Sequence, residues 1–174
     1  MAEGLPLSEG ELRLLASLVR HRVRFMVVGL SAAALQGAPV VTEDVDLWFE
    51  DLNAPELPRA LKEVGAAYVP PFQLNPPMLA GKHTEPFDVV IRMDGLGPFS
   101  DEIKHCHEIR LGGLRLKVLS LERILASKIA ANRPKDRLVT AVLRNVLRTL
   151  EIKKRHRGQS RAALRKRRRH KRSS

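Results

Sequence analysis

Apolar positions along the chain change period several times, and each change marks an element. Leu12, Leu14, Leu15, Leu18 and Val19 recur at near-helical spacing and predict a helix over residues 7–22. Ser8 and Glu11 form a capping box at its start. The run VRFMVVG (23–29) is short, apolar and stopped by glycine, as in a buried strand. Residues 31–36 are small and mostly apolar and predict a short helix ended by Gly37 and Pro39. In DVDLWFE (44–50), Asp44 and Asp46 alternate with Val45 and Leu47, the period of a strand. Asn53 is placed to cap a helix over residues 54–64, which Gly65 terminates.

The second half begins with residues 66–81, where Pro70, Pro71, Pro76 and Pro77 leave room for short strand pieces and loop. FDVVIRM (87–93) predicts a strand, and residues 94–101 a loop. HEIRL and LRLKVL flank Gly112-Gly113 and predict a β-hairpin with a two-residue turn. Ser120 opens a further helix. Pro134 suits the first position of the next one, whose apolar stripe at 138, 139, 142, 143, 146, 147 and 150 carries it to about Lys154. The order predicts an α+β (α/β) domain over residues 1–154: a mixed sheet flanked by helices, with helices at its C-terminal end.

Charge changes the picture at one end only. The chain of 174 residues carries a formal charge of +12. Residues 151–174 hold 12 Lys/Arg and one acid, Glu151, so residues 1–150 are nearly neutral at +1. Residues 155–174 are almost all Arg, Lys, His, Ser and Ala, and predict a fraying helix or disorder. Within them Arg165, Lys166, Arg167, Arg168, Arg169, Lys171 and Arg172 form a dense basic run, suited to RNA or DNA phosphates through counterion release. No aromatic side chain is interleaved there to stack bases. No run approaches the 18 apolar residues of a membrane span, and the N-terminus lacks a basic-then-apolar signal. A lone Cys106 excludes a disulfide framework. A soluble, cytoplasmic protein with a basic tail is expected.

Three features in chain order carry chemistry. Gly29-Leu30-Ser31 ends a buried strand and opens a helix, where free N–H groups and a hydroxyl suit a phosphate. Asp44 and Asp46 lie two apart on a strand and so share a face. Asp88 opens a later strand. Three carboxylates suit one or two Mg²⁺ or Mn²⁺ ions, which take carboxylate and phosphate oxygens together. Two such ions clamp the attacking and leaving oxygens of an in-line phosphoryl displacement. His105 and His107 would share a strand face, but no third ligand follows at a zinc-like spacing.

VVGLSAAALQG (27–37) followed by VTEDVDLWF (41–49) resembles the signature of the nucleotidyltransferase (polymerase β-like) superfamily. That signature is a glycine–glycine/serine turn, two acids two apart on a strand, and a third acid on a later strand. The chain is more closely similar to the small prokaryotic group of AbiEii-type toxins and MNT-like domains. In that group a "GG-A…G…R-x-T-x-D-I-D" run corresponds to Gly29-Leu30-Ser31-Ala32, Gly37 and Thr42-Glu43-Asp44-Val45-Asp46. A later "KlaA-R-x-KD" stretch corresponds to Lys128-Ile129-Ala130-Ala131 and Arg133-Pro134-Lys135-Asp136.

The resemblance implies a metal-dependent enzyme that moves a nucleoside monophosphate from a nucleoside triphosphate to a hydroxyl of RNA, such as tRNA, or of protein, as part of a toxin–antitoxin pair. It implies that Gly29 and Ser31 hold the triphosphate and that Asp44, Asp46 and Asp88 bind the metals. Asp88 also helps deprotonate the acceptor, Lys128 reaches a phosphate, and Asp136 supports that helix pair. Two positions depart from the pattern: Leu30 replaces the second glycine, and Val40 or Val41 stands where an Arg is usual. These departures define the alternative, a degenerate nucleotidyltransferase module that binds RNA or a protein partner without catalysis.

Overall fold

The computed structural model describes the backbone of residues 7–170 and the side chains of residues 7–156. Helix α1 (Glu9–Arg20) starts at the expected capping box, with Ser8 Oγ accepting the Glu11 N–H and Glu11 accepting the Ser8 N–H. There follow β1 (Phe25–Val28), α2 (Gly29–Leu35), β2 (Val45–Phe49), α3 (Glu56–Glu63), β3 (Ala66–Val69), β4 (Met78–Gly81) and β5 (Phe87–Val90). The chain continues through α4 (Phe99–Glu102), a 3₁₀ turn (Ile103–His105), β6 (Cys106–Leu111), β7 (Leu114–Leu119), α5 (Leu121–Ala131) and α6 (Pro134–His170).

The seven strands form one mixed sheet in the order β3-β4-β5-β2-β1-β7-β6. β1 runs antiparallel to β2 and parallel to β7, while β2 runs parallel to β5. All four residues of β1 are buried, so both faces of the sheet are covered at its centre. The packed pair α1–α3 forms one layer, and α2 with α5 and the start of α6 forms the other. Val27, Leu47, Leu116, Val118 and Ile124 lie in the continuous apolar core. Gly112 and Gly113 both take positive φ, as a two-residue hairpin turn between β6 and β7 requires.

Several boundaries differ from expectation. Pro55 occupies the N-cap position of α3, while the Asn53 N–H donates to Asp51 Oδ1 in the preceding turn. The strand expected to reach Met93 ends at Val90, and Ile91 beyond it is 61% exposed. The expected loop over 94–101 gives way at Phe99 to α4, because Glu102 and Phe99 find partners. Glu102 is buried, accepts from Arg123 Nε at 2.7 Å and from the Gly97 N–H, and so pins α4 to α5. Phe99 meets Trp48 edge to face at 6.1 Å, which places Trp48 in the core.

α6 does not fray near Lys154 but continues as one helix to His170. Arg, Lys, Leu, Ala and Gln are all good helix formers, and backbone propensity does not require a buried face. The side chains of Arg165 to Arg169 lie outside the described residues, as do Lys171 and Arg172 altogether. No helix among the described residues is long and apolar enough to cross a membrane.

Candidate active site

The sheet brings two of the three predicted carboxylates together by register. β2 and β5 are adjacent and parallel, and Asp46 is the direct partner of Asp88. Neighbouring strands lie about 4.8 Å apart, and partners in register point to the same face. The two carboxylates, 42 positions apart in sequence, are therefore side by side. Asp44 sits two residues upstream in the extended lead-in to β2 and is exposed. Thr42 Oγ1 accepts the Asp44 N–H at 3.3 Å and donates to the Asp44 carbonyl at 3.0 Å, which holds that lead-in.

The turn from β1 into α2 completes one wall. Val28 pairs with Asp46 across β1 and β2, so the turn begins where the carboxylates lie. Gly29 has φ of +64°, a left-handed conformation that costs a glycine little. A Cβ at Gly29 would overlap Asp46 Oδ2 and come within 2.8 Å of its Cγ. The missing side chain thus makes room for the Asp46 carboxylate. Ser31 is fully buried; its hydroxyl donates to the Val28 carbonyl at 2.9 Å and accepts the Asp46 N–H at 3.2 Å. In this geometry Ser31 braces the turn against β2.

Electrostatics follow from these positions. Asp46 is half-buried, and its carboxyl is pushed up to about 6, first by burial and then by Asp88, with Asp44 adding to the effect. Lys128 and Lys135 act in the opposite direction. Asp88 is also raised, by burial and by Asp44. Lys128 comes from α5, and its Nζ lies 3.0 Å from Asp136 Oδ1 at the start of α6. Burial alone would raise the Asp136 carboxyl; the Lys128 ammonium and the Arg133 N–H outweigh it and hold it below the usual range. Asp136 therefore joins α5 to α6 and places Lys128 within electrostatic reach of Asp46. Lys135, which the sequence pattern marks only as a charge beside Asp136 in the Lys-Asp pair, also acts on Asp46.

The donor set suits a hard divalent cation: carboxylate oxygens only, mutually repelling, with Asp46 half-buried at the centre. Among the described residues no group of three His, Cys, Asp or Glu side chains is placed to hold a metal ion, so Asp44, Asp46 and Asp88 are not gathered into a three-ligand site. His105 ends the 3₁₀ turn and His107 lies exposed on β6. Between them, half-buried Cys106 has its thiol pushed up to about 11 by burial, and its Sγ lies 3.5 Å from Met26 Sδ.

No family model matches the chain, and no curated protein matches it. Among solved structures it is similar to the crystal structure of ANT(2″)-Ia in complex with adenylyl-2″-tobramycin. That likeness has 14% identity and a TM-score of 0.54, and covers 82% of this chain and 90% of that one. A solution structure of the antibiotic-resistance factor ANT(2″)-Ia aligns over 84% of this chain and 96% of that one, with 14% identity and a TM-score of 0.48. The shared feature is a nucleotidyltransferase-like fold, with its mixed sheet and flanking helices.

Proposed function

We propose that this protein is a metal-dependent nucleotidyltransferase, which moves a nucleoside monophosphate from a nucleoside triphosphate to a hydroxyl and releases pyrophosphate. The observation that carries the proposal is the pairing of Asp46 with Asp88 on adjacent parallel strands, with Asp44 two residues upstream and Gly29 cleared of a side chain beside them. The fold held in common with ANT(2″)-Ia supports the same reading.

Asp44 and Asp46 would hold Mg²⁺ or Mn²⁺, with Asp88 as the third ligand. When bound, the metal supplies positive charge to the phosphate oxygens and lowers the barrier to in-line displacement. Asp88 is the exposed member of the Asp46–Asp88 pair and is placed to accept the proton of an incoming hydroxyl. Lys128, steadied by Asp136, and exposed Lys135 would hold phosphate oxygens on the α5–α6 side. Gly29 lets the turn lie against the carboxylates, and Ser31 keeps it there. Gly29 and Lys128 are thus proposed for nucleotide binding, and Ser31 as the brace beneath them.

RNA is the acceptor we favour, because the excess charge of the chain lies at its basic end. A toxin–antitoxin setting with a cognate partner protein belongs to the same proposal and rests on the sequence resemblance. The adenylylated tobramycin of the ANT(2″)-Ia complex makes an amino-sugar hydroxyl the acceptor to compare. The test is incubation with each labelled nucleoside triphosphate, Mg²⁺ and either total RNA, cell lysate or tobramycin. Label is expected on RNA and absent with Asp44→Ala or Asp46→Ala. Undiminished labelling by either variant would sink the metal-site assignment.

A second reading is a degenerate module that binds RNA or a protein partner without transfer. Half-exposed Leu30 at the second turn position is the observation in its favour, since a side chain there limits backbone approach to a phosphate. Calorimetry with the nucleotide panel and Mg²⁺ separates the two: metal-dependent heat supports the enzyme, and its absence supports the module.

A further inference from the structure

A concave site lies away from the carboxylates, between α1, the end of α3 and the turn that follows β4. It is a groove of about 450 Å³ lined by Gly10, Arg13, Arg20, Glu63, Lys82 and His83, among others. We propose that this groove binds single-stranded RNA, taking one base against His83 and the flanking phosphates on Arg13 and Lys82.

The groove is cationic once its internal pairs are removed. Glu63 is its one acid, and it is already engaged by Arg20 and by His21 at 2.7 Å. Arg13 and Lys82 have no ion-pair partner among the described residues, and both are exposed. Two unpaired cations lining one groove, one on a helix and one on a turn, suit anionic groups on a single ligand. A polycation would be repelled there.

His83 supplies the second element. It has φ of +61°, a left-handed conformation that is uncommon outside glycine. A Cβ at Gly10 would overlap three atoms of the His83 ring, so the imidazole lies across the bare backbone of α1. His83 remains exposed despite that contact, which leaves ring surface toward solvent. A ring backed by the main chain and bordered by cations is the arrangement with which proteins hold unpaired bases, through stacking and phosphate contacts. The turn carrying Lys82 and His83 leads directly into β5, five residues before Asp88. A strand bound in the groove is thus tied, through that short turn, to the strand that bears the proposed base.

The inference concerns binding and is tested without nucleoside triphosphate or metal, so it stands or fails apart from the proposed transfer. The full chain is titrated into a fluorescein-labelled 12-nucleotide oligo(U) RNA, followed by anisotropy from 0.05 to 0.5 M salt. Each single-strand phosphate contact contributes about 0.7 to the salt slope, so Arg13→Gln with Lys82→Gln should lower the slope by about 1.4. With equal affinities extrapolated to 1 M salt, that is a roughly 25-fold loss at 0.1 M. Gly10→Ala keeps a helix-compatible backbone while displacing the ring, and His83→Ala removes it. Both should weaken binding with the slope unchanged, because a stacking contact releases no counterions. Thermal melts confirm that each variant is folded.

Wild-type affinity and slope in the folded Arg13/Lys82 double variant would overturn the proposal. So would wild-type affinity in both Gly10→Ala and His83→Ala. An affinity for uridine monophosphate equal to that for the 12-mer would overturn the RNA assignment and mark a free-nucleotide site.

Discussion

Replacing Asp46 by Asn should make the protein more stable while removing its proposed activity. The Asp46 carboxyl rises from 3.8 to about 6 because it is half-buried and faces Asp88 and Asp44, with Lys128 and Lys135 offsetting only part of this. A group whose folded pKa lies above its unfolded value favours folding as pH falls and opposes it as pH rises, because the folded state then binds more protons. The shift is roughly two units, so ionised Asp46 costs the cation-free fold about 3 kcal/mol at pH 7 and under about 1 kcal/mol at pH 4. Asn has nearly the same shape and carries no charge. For a chain of this size about 3 kcal/mol corresponds to roughly 6–12 °C. Melting followed by circular dichroism in EDTA should place Asp46→Asn above the wild type by an amount in that range at pH 7, with the gap nearly closed at pH 4. Adding Mg²⁺ should stabilise the wild type more than the variant, which keeps only Asp44 and Asp88 of the three proposed ligands. Equal melting temperatures at pH 7 in EDTA, or a gap that persists at pH 4, would show that the Asp46 charge does not oppose folding.

Other outcomes follow from single contacts. Gly29→Ala should lose at least about 2 kcal/mol in urea unfolding, since it adds left-handed strain and overlap with Asp46. Asp136→Ala leaves Lys128 half-buried without its partner, and should destabilise by about 2–4 kcal/mol and raise KM for the triphosphate. Lys128→Met strips the more deeply buried Asp136 carboxylate of its partner, so it should cost at least as much stability, with a comparable rise in KM. Arg123→Ala exposes the dependence of buried Glu102 on its partner. Arg123 first, with the Gly97 N–H, holds Glu102 below the ordinary range despite burial. That stability is present above about pH 4.5 and lost on acidification, so the wild-type advantage over Arg123→Ala should shrink in melts below pH 4. Ending the chain at Lys154 removes ten Lys/Arg and should flatten the salt dependence of RNA binding by up to about 7 in slope.

Local chemistry made much of the architecture legible. Ser8 and Glu11 announced α1 because a capping box satisfies helix N–H groups within four residues. Gly112-Gly113 announced the hairpin because a two-residue turn needs positive φ twice. The strand from Val45 to Phe49 was legible because Val45, Leu47 and Phe49 must be buried while Asp46 faces the other side. Elements held by distant partners were harder to read. α4 exists because Glu102 meets Arg123 and Phe99 meets Trp48, contacts that no short window of sequence contains.

The sequence alone determined the types and order of the acids, the glycine turn before them and the division between a near-neutral body and a +11 end. Only the tertiary structure decided that Asp46 and Asp88 are partners, because pairing β2 with β5 is a long-range choice made by the sheet. It also decided that the Ser31 hydroxyl is spent inside the fold and that Lys135 comes within electrostatic reach of Asp46. His83 and Gly10, 73 positions apart, became a groove floor in the same way. The physical reason is common to all of these. Periodicity and turn chemistry act over a few residues, whereas burial, charge repulsion and ring packing depend on which distant segments the fold brings within a few ångströms.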